Sequence, residues 1–218
     1  MNKKKASPII VGILFAVAAV MIVTGTIGGV KAAPLITNNQ DYLAEMVLTD
    51  IGIQITENGE IVPDGQDLMA WLTKPEFKIG KTYDEPLAVT NTGTIDEYVR
   101  VSVYKYWTDK DGKDVTLDPG LITLHFVTDG GWTINEEEST EELTVLYYSD
   151  PIAPEEDSTV FMDTVTIDGK VARAISILEG EEKLDYDGVT FHIQVVADGV
   201  QDHNGDAAMT SAWGHTNQ

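Results

Sequence analysis

The chain has 218 residues, with 14 Lys or Arg against 36 Asp or Glu, a formal net charge of −22 and no cysteine. A field of that sign repels phosphate backbones and anionic lipid, which argues against nucleic-acid and anionic-membrane partners. The lack of cysteine removes disulfides, thiol catalysis, thiolate metal sites and lipid attachment through an N-terminal cysteine.

The N-terminus is the most informative segment. Lys3, Lys4 and Lys5 precede an uncharged stretch, residues 6–30, that ends at Lys31-Ala32-Ala33-Pro34. Positive residues, an apolar run and small residues are the three parts of a secretory signal. Cleavage fits best between Ala32 and Ala33, with Val30 and Ala32 at the −3 and −1 positions. The same apolar run approaches the roughly 20 residues that cross a bilayer, so an uncleaved anchor facing outside is the alternative. In both cases the three lysines hold the N-terminus inside and the bulk of the chain is exported. Residues 1–32 hold four of the 14 basic residues and none of the 36 acidic ones, so the exported part carries 10 against 36, a net −26. An exported chain without disulfides suits a Gram-positive surface.

Residues 33–218 read as one domain dominated by period-2 patterning. Residues 46–55 (MVLTDIGIQI) alternate loosely and end at the turn Glu57-Asn58-Gly59-Glu60. Residues 64–72 are the first helical candidate, with Leu68, Trp71 and Leu72 at i, i+3, i+4 and Pro75 as the stop. Residues 86–91 read as a strand, Asn91-Thr92-Gly93 as a turn, and residues 97–107 (EYVRVSVYKYW) as a long strand. In that strand Val99, Val101 and Val103 share one face, and Tyr98, Arg100, Ser102, Tyr104 and Tyr106 the other. A turn over 109–114 follows, then strands over 121–127, 132–134, 142–148, 159–167 and 189–197. Residues 171–178 fit strand or helix, and 207–213 a short terminal helix. Many short strands between Asp/Gly/Pro turns predict an all-β, antiparallel sandwich with one or two short helices.

No enzyme signature emerges. The four histidines, His125, His192, His203 and His215, form no HExxH, and no Gly-x-Ser-x-Gly elbow occurs. Asp109, Asp111 and Asp114 around Gly112 are the metal candidates, because calcium takes several oxygen ligands from a tight loop. The same residues also read simply as an Asp-Gly hairpin turn. Residues 202–206 (DHNGD) offer a cation site or a helix cap. Tyr98, Tyr104, Tyr106, Trp107, Trp132, Tyr147 and Tyr148 form either a glycan platform or cross-strand pairs and partial core.

Residues 87–101 (LAVTNTGTIDEYVRV) resemble the V-x-N-x-G-x-x-x-x-Y-V-R-V strand-turn-strand of small exported Gram-positive proteins grouped with TasA and camelysin (CalY). YLAEMVLTDIGI from Tyr42, TVLYY from Thr144 and AMTSAWG from Ala208 are similar to the same group. The N-terminus is similar to signals handled by the SipW signal peptidase. The resemblance covers nearly all of residues 33–218. It implies a jelly-roll-like β-sandwich at the cell surface or in biofilm matrix. Its subunits would associate with themselves or with related matrix subunits when a freed N-terminal segment completes a neighbour's sheet. Here that segment is residues 33–40 (APLITNNQ), with Ala33, Pro34, Leu35, Ile36 and Thr37 as the donor strand; Leu35 and Ile36 are adjacent and cannot both point into one groove. Camelysin relatives carry a metallopeptidase label, but no zinc-ligand motif matches it here. The expectation is a non-enzymatic surface protein, without a cofactor unless calcium binds at 109–114. A metallopeptidase and a calcium- or glycan-binding module are the alternatives.

Overall fold

The computed structural model describes residues 51–63, 68–70, 77–172, 175–178, 181–184, 186 and 189–216. The predicted signal, the Ala32–Ala33 cleavage pair and the segment 33–40 lie outside them, as does most of the first helical candidate. Among the described residues no helix is long and apolar enough to cross a membrane.

In chain order the strands are β1 (Ile53–Glu57), β2 (Glu60–Ile61), β3 (Thr82–Asn91), β4 (Glu97–Asp109), β5 (Gly112–Asp114) and β6 (Ile122–Phe126). They continue with β7 (Trp132–Ile134), β8 (Leu143–Tyr148), β9 (Met162–Ile167), β10 (Ile175–Leu178), β11 (Glu181–Leu184) and β12 (Thr190–Gln201), before helix α1 (Gly205–Trp213). One antiparallel sheet runs β2-β1-β3-β9-β6; the other runs β12-β4-β8-β7, with β5 also paired to β4. β10 and β11 form a separate hairpin. The chain is thus all-β with a terminal helix, as its patterning predicts.

Alternation decides which face is buried. Val99, Val101 and Val103 of β4 are at most 1% exposed and pack with Leu87 and Val89 of β3, Val165 of β9 and Leu146 of β8. That cluster draws on both sheets, so they enclose a common core. Burying each such valine contributes roughly 1.5–3 kcal/mol. A second cluster, around Trp107, Ile122 and Ile167, fills the other end. Lys105 follows the inward phase of β4, and its Nζ donates to the Ile122 carbonyl of the facing sheet at 2.9 Å. Burial lowers its pKa from the usual lysine range, against the raising effect of Asp118 and Glu141.

The turns follow their residues. Asn58 and Gly59 both take positive φ, 55° and 78°, and close the β1–β2 hairpin with Glu57 opposite Glu60. Pro86 lies inside β3 at a register shift between Asp84 and Leu87, which absorbs its missing N–H. β3 starts four residues before the predicted strand, and β12 ends four residues after its own. The ambiguous 171–178 stretch divides into a 3-10 turn, Gly169–Ala172, and strand β10.

Asn91 ties the β3–β4 connection to the rest. Its Nδ2 donates to the carbonyls of Ile95 and Ile152, both at 2.7 Å, and its Oδ1 accepts from Gly93 N at 2.8 Å. Its own N–H and carbonyl bond Glu156 and Glu155. Asn91→Ala takes this donor from the Ile95 carbonyl, while the Ile152 carbonyl keeps Glu97 N and the Gly93 N–H keeps the Gly52 carbonyl; a buried group left unpaired costs about 1–3 kcal/mol. Urea unfolding should therefore show a loss of about 1–3 kcal/mol for Asn91→Ala. Val115→Ala, at a side chain 78% exposed, should stay within about 0.5 kcal/mol of the parent.

Candidate functional site

The outward face of β4 carries Tyr98, Arg100 and Ser102, opposite Val200, Asp198 and Val196 of β12 on one side; Arg100 and Ser102 also face Tyr147 and Val145 of β8. Helix α1 lies over this part of the face. Met209 and Trp213, one helical turn apart, pack against Val145, Tyr147 and Val200. Asn204 precedes the helix in the left-handed region and makes no side-chain cap; Gly205 N instead donates to the Asp202 carbonyl at 2.7 Å. The 202–206 segment therefore starts the helix through its backbone. Gly205 lets the helix meet the Tyr98 ring, since a Cβ there would stand 2.6 Å from Tyr98 Cε2. Gly214 ends it at φ 84°, its N–H on the Thr210 carbonyl.

Beneath the end of α1 sits a network of charged groups. Arg100 Nη2 donates to Asp198 Oδ2 at 2.8 Å, and its Nη1 lies 4.0 Å from Glu138 Oε2. Its guanidinium stands 5.6 Å from the Trp213 ring centre. The Tyr147 hydroxyl lies 3.1 Å from both Glu138 oxygens, and Asn135 Nδ2 donates to Oε1 at 2.9 Å. His215, just past the helix, puts Nε2 at 2.6 Å from Glu138 Oε1 and Nδ1 at 2.9 Å from the Thr216 carbonyl. Both ring nitrogens thus face acceptors, a geometry that suits the imidazolium. With His215 charged, two cations balance the carboxylates of Asp198 and Glu138.

The Thr216 carbonyl raises the His215 pKa most, partial burial opposes it, and Glu138 raises it further, for a net rise above 6.5. Burial works against the Arg100 charge, but the bonds to Asp198 and Tyr147 outweigh it and raise its pKa. Burial raises the Tyr147 hydroxyl, with Arg100 opposing.

Beside this network a cleft of about 200 Å³ opens at one end of β12. Ile51, Ile53, Ala197 and Gly199 line one part, and Arg100, Asp198, Val200, Ala212 and Trp213 the other. Gly199 is required by packing: a Cβ there would meet Ile53 Cγ1 at 2.5 Å and Glu97 Oε2 at 2.6 Å. Glu97, fully buried, accepts from Gly52 N at 2.9 Å through its other oxygen. The Gly52 carbonyl accepts from Thr92 and Gly93, so the chain is held firmly where it enters β1.

The remaining candidates are dispersed. Asp109 Oδ1 accepts from Asp111 N, Asp111 pairs with Lys110, and Asp114 Oδ1 takes both the N–H and the hydroxyl of Thr116. Those Thr116 bonds lower the Asp114 pKa. Asp109 and Gly112 close a hairpin from β4 to β5, with Gly112 at φ 121°. Among the described residues no group of three His, Asp or Glu side chains gathers to hold a metal ion. His125 pairs with Asp163 on the other sheet, His192 stacks on Tyr106 at 5.0 Å, and His203 is exposed. The seven aromatics divide as well. Trp107, Trp132 and Tyr147 are buried, Tyr148 packs on Trp132, and Tyr104 is 37% exposed. The signal-cleavage and donor-strand residues lie outside the described residues. Comparison of the chain with protein-family models, curated proteins and solved structures finds no match.

Arg100 belongs to the quoted Y-V-R-V run, but Glu138, Tyr147 and His215 join it from 138, 147 and 215, and no local motif links them. Two outcomes follow. A histidine whose folded pKa is raised stabilises fully below its unfolded pKa and loses that effect as pH rises through the folded value. Hydrogen-exchange protection of α1 should therefore fall on the alkaline side of pH 6.5, modestly because the His215 side chain is 36% exposed. His215→Gln should flatten that dependence. Gly199→Ala should cost about 1–3 kcal/mol by overpacking. Adding Ile53→Ala should recover part of the loss in a double-mutant cycle.

Proposed function

We propose that this chain is an exported, non-enzymatic surface or biofilm-matrix protein of the TasA-like kind that self-associates by β-strand addition. The observation that carries the reading is the free edge of β12. Among the described residues β12 pairs with β4 alone, over 12 residues. The other outer strands, β2, β6 and β7, have 2, 5 and 3 residues. Natural edge strands of such length are blunted with lysine, proline or short runs. β12 (TFHIQVVADGVQ) has no lysine, arginine or proline, and its one acid, Asp198, is engaged by Arg100. Of its inward residues Val195 is buried, but Phe191, Ile193 and Ala197 are only half-buried, whereas Val99, Val101 and Val103 beside them are closed off. A further strand would cover both the apolar and the backbone groups left at this edge.

The connectivity supports the jelly-roll form of this reading. Consecutive strands β3 and β4 lie in opposite sheets, and their partners β9 and β12 are divided the same way. In this reading residues 1–32 are the signal, removed by a SipW-type peptidase to leave Ala33 first, and residues 33–40 are the exchanging strand. An excess of 26 negative charges opposes association until cations or a neighbour screen it.

The test is electron microscopy of the secreted product of the full chain beside a chain lacking residues 33–40, each with and without calcium. Fibres should form only when 33–40 are present, and lysines placed on the outer side of the edge, Gln194→Lys with Val196→Lys, should abolish them. Monomers under every condition would remove self-assembly as the chain's own activity.

A further inference from the structure

Helix α1 draws little stability from its own sequence. Asn204 gives it no side-chain cap, and its last turn holds no basic residue. The positive charge that a helix C-terminus favours comes from outside it. Arg100 of β4 stands 5.6 Å from the Trp213 ring centre, and His215 lies just past the end of the helix.

His215 faces Glu138 and Asn135 of the β7–β8 connection, Tyr147 of β8, Arg100 of β4 and the Thr216 carbonyl of its own tail. Asp198 of β12 joins this set through Arg100. The Tyr147 hydroxyl stands between two acceptors, 3.1 Å from both Glu138 oxygens and 2.9 Å from His215 Nε2. An imidazolium has no lone pair, so the hydroxyl donates to Glu138 alongside Nε2–H. A neutral ring that keeps Nδ1–H on the Thr216 carbonyl presents a lone pair at Nε2, and the hydroxyl turns to it. Glu138 then loses two donors together, keeping Asn135 and the more distant Arg100. Two cations against two carboxylates become one against two.

We propose that α1 is a proton-operated clasp: His215 fastens it to the outer face while protonated and releases it when the proton leaves. Arg100 keeps its charge, since its bonds to Asp198 and Tyr147 outweigh burial, and burial pushes the Tyr147 hydroxyl above the usual tyrosine range. Of these three groups, His215 alone changes charge between about pH 6 and about pH 8.5. The closed helix favours the protonated ring, so the hold is complete on the acid side and weakens as pH rises. Opening uncovers Val145, Tyr147 and Val200 together with Met209 and Trp213. Val99, Val101 and Val103 lie on the other side of β4, between the sheets, and stay closed. The clasp therefore works on a folded sandwich, whether or not copies assemble.

The chain has no cysteine, so Val145→Cys, near in size to the parent and beneath α1, places a single thiol there. Its rate of labelling by a methanethiosulfonate, in the full secreted chain, is divided by that of Ala207→Cys on the exposed side of α1, which corrects for thiol ionisation. The ratio should rise about threefold to tenfold from about pH 6 to about pH 8.5, a unit of pKa being tenfold. Adding His215→Gln or Glu138→Gln should leave it nearly flat. Hydrogen exchange of the α1 amides in the unsubstituted chain should show the same rise without any thiol, while protection at Val101 stays constant. A ratio and an α1 exchange that ignore pH, or a pH dependence that survives His215→Gln, would overturn the clasp. Parallel loss of protection at Val101 would overturn it too, because the whole sandwich would then be opening.

Discussion

The fully buried side chain of Asn91 is the constraint on which the assembly of this sandwich depends. An amide offers two donors and an acceptor with two lone pairs, and here they reach the carbonyls of Ile95 and Ile152 and the N–H of Gly93. The consequence runs outward in steps. Gly93, held by Asn91, donates with Thr92 to the Gly52 carbonyl. Gly52 in turn donates to Glu97, which begins β4 and is bridged to Ile152. One side chain thereby fixes where β1 starts, where β3 ends and where β4 begins. An apolar residue there would take this donor from the Ile95 carbonyl and leave the Ile152 carbonyl and the Gly93 N–H with only Glu97 N and the Gly52 carbonyl.

The same β4 strand joins the core to the outer face through its two-residue period. Its odd-numbered valines disappear between the sheets; its even-numbered Tyr98, Arg100 and Ser102 face helix α1 or the charged network beneath its end. The helix has few internal reasons to exist. It has nine residues, no side-chain cap and only Asp206 to complement its dipole, and isolated helices of that length are marginal in water. It is held by Met209 and Trp213 on the sheet and by the anchoring of His215 just beyond it. The run of Tyr, Val, Arg and Val is therefore a sequence of attachments, with Tyr98 under the first turn of the helix and Arg100 under its last.

What was legible in the sequence was whatever depends on near neighbours. Alternation in 97–107 separated the face of Val99, Val101 and Val103 from that of Tyr98, Arg100 and Ser102, Asn58-Gly59 announced its hairpin, and the terminal helix was visible in 207–213. Strand ends misled where local chemistry and tertiary pairing disagree. Asp198-Gly199 reads as a break, yet β12 continues to Gln201 because Asp198 finds Arg100 and Gly199 admits Ile53. β11 (EEKL) was missed because its composition is that of a solvated segment. The 109–114 segment read as a hairpin turn or a calcium loop, and the hairpin is there, with Asp109, Asp111 and Asp114 bonded to the turn, Lys110 and Thr116. The His215–Glu138–Tyr147 network was invisible for a plainer reason: its members stand 77 and 68 positions apart, and only the packing of α1 brings them together.

Charge and edge now act against each other in an informative way. A net −22 spread over the chain keeps copies apart, and such repulsion is long-ranged at low salt. Strand addition at the edge that β12 leaves unpaired among the described residues would act at contact, through backbone hydrogen bonds. Few charges lie at the cleft itself, and the two that do neutralise one another, so the repulsion is carried by the remainder of the surface. Association at this edge would therefore be controlled by ionic conditions while its geometry is set by packing. Among the described residues β12 leaves a 12-residue edge unpaired, and dispersed negative charge limits the pairing of such an edge with other extended strands. The dispersed acidity and the unblunted strand make physical sense together, each limiting the hazard or the barrier that the other creates.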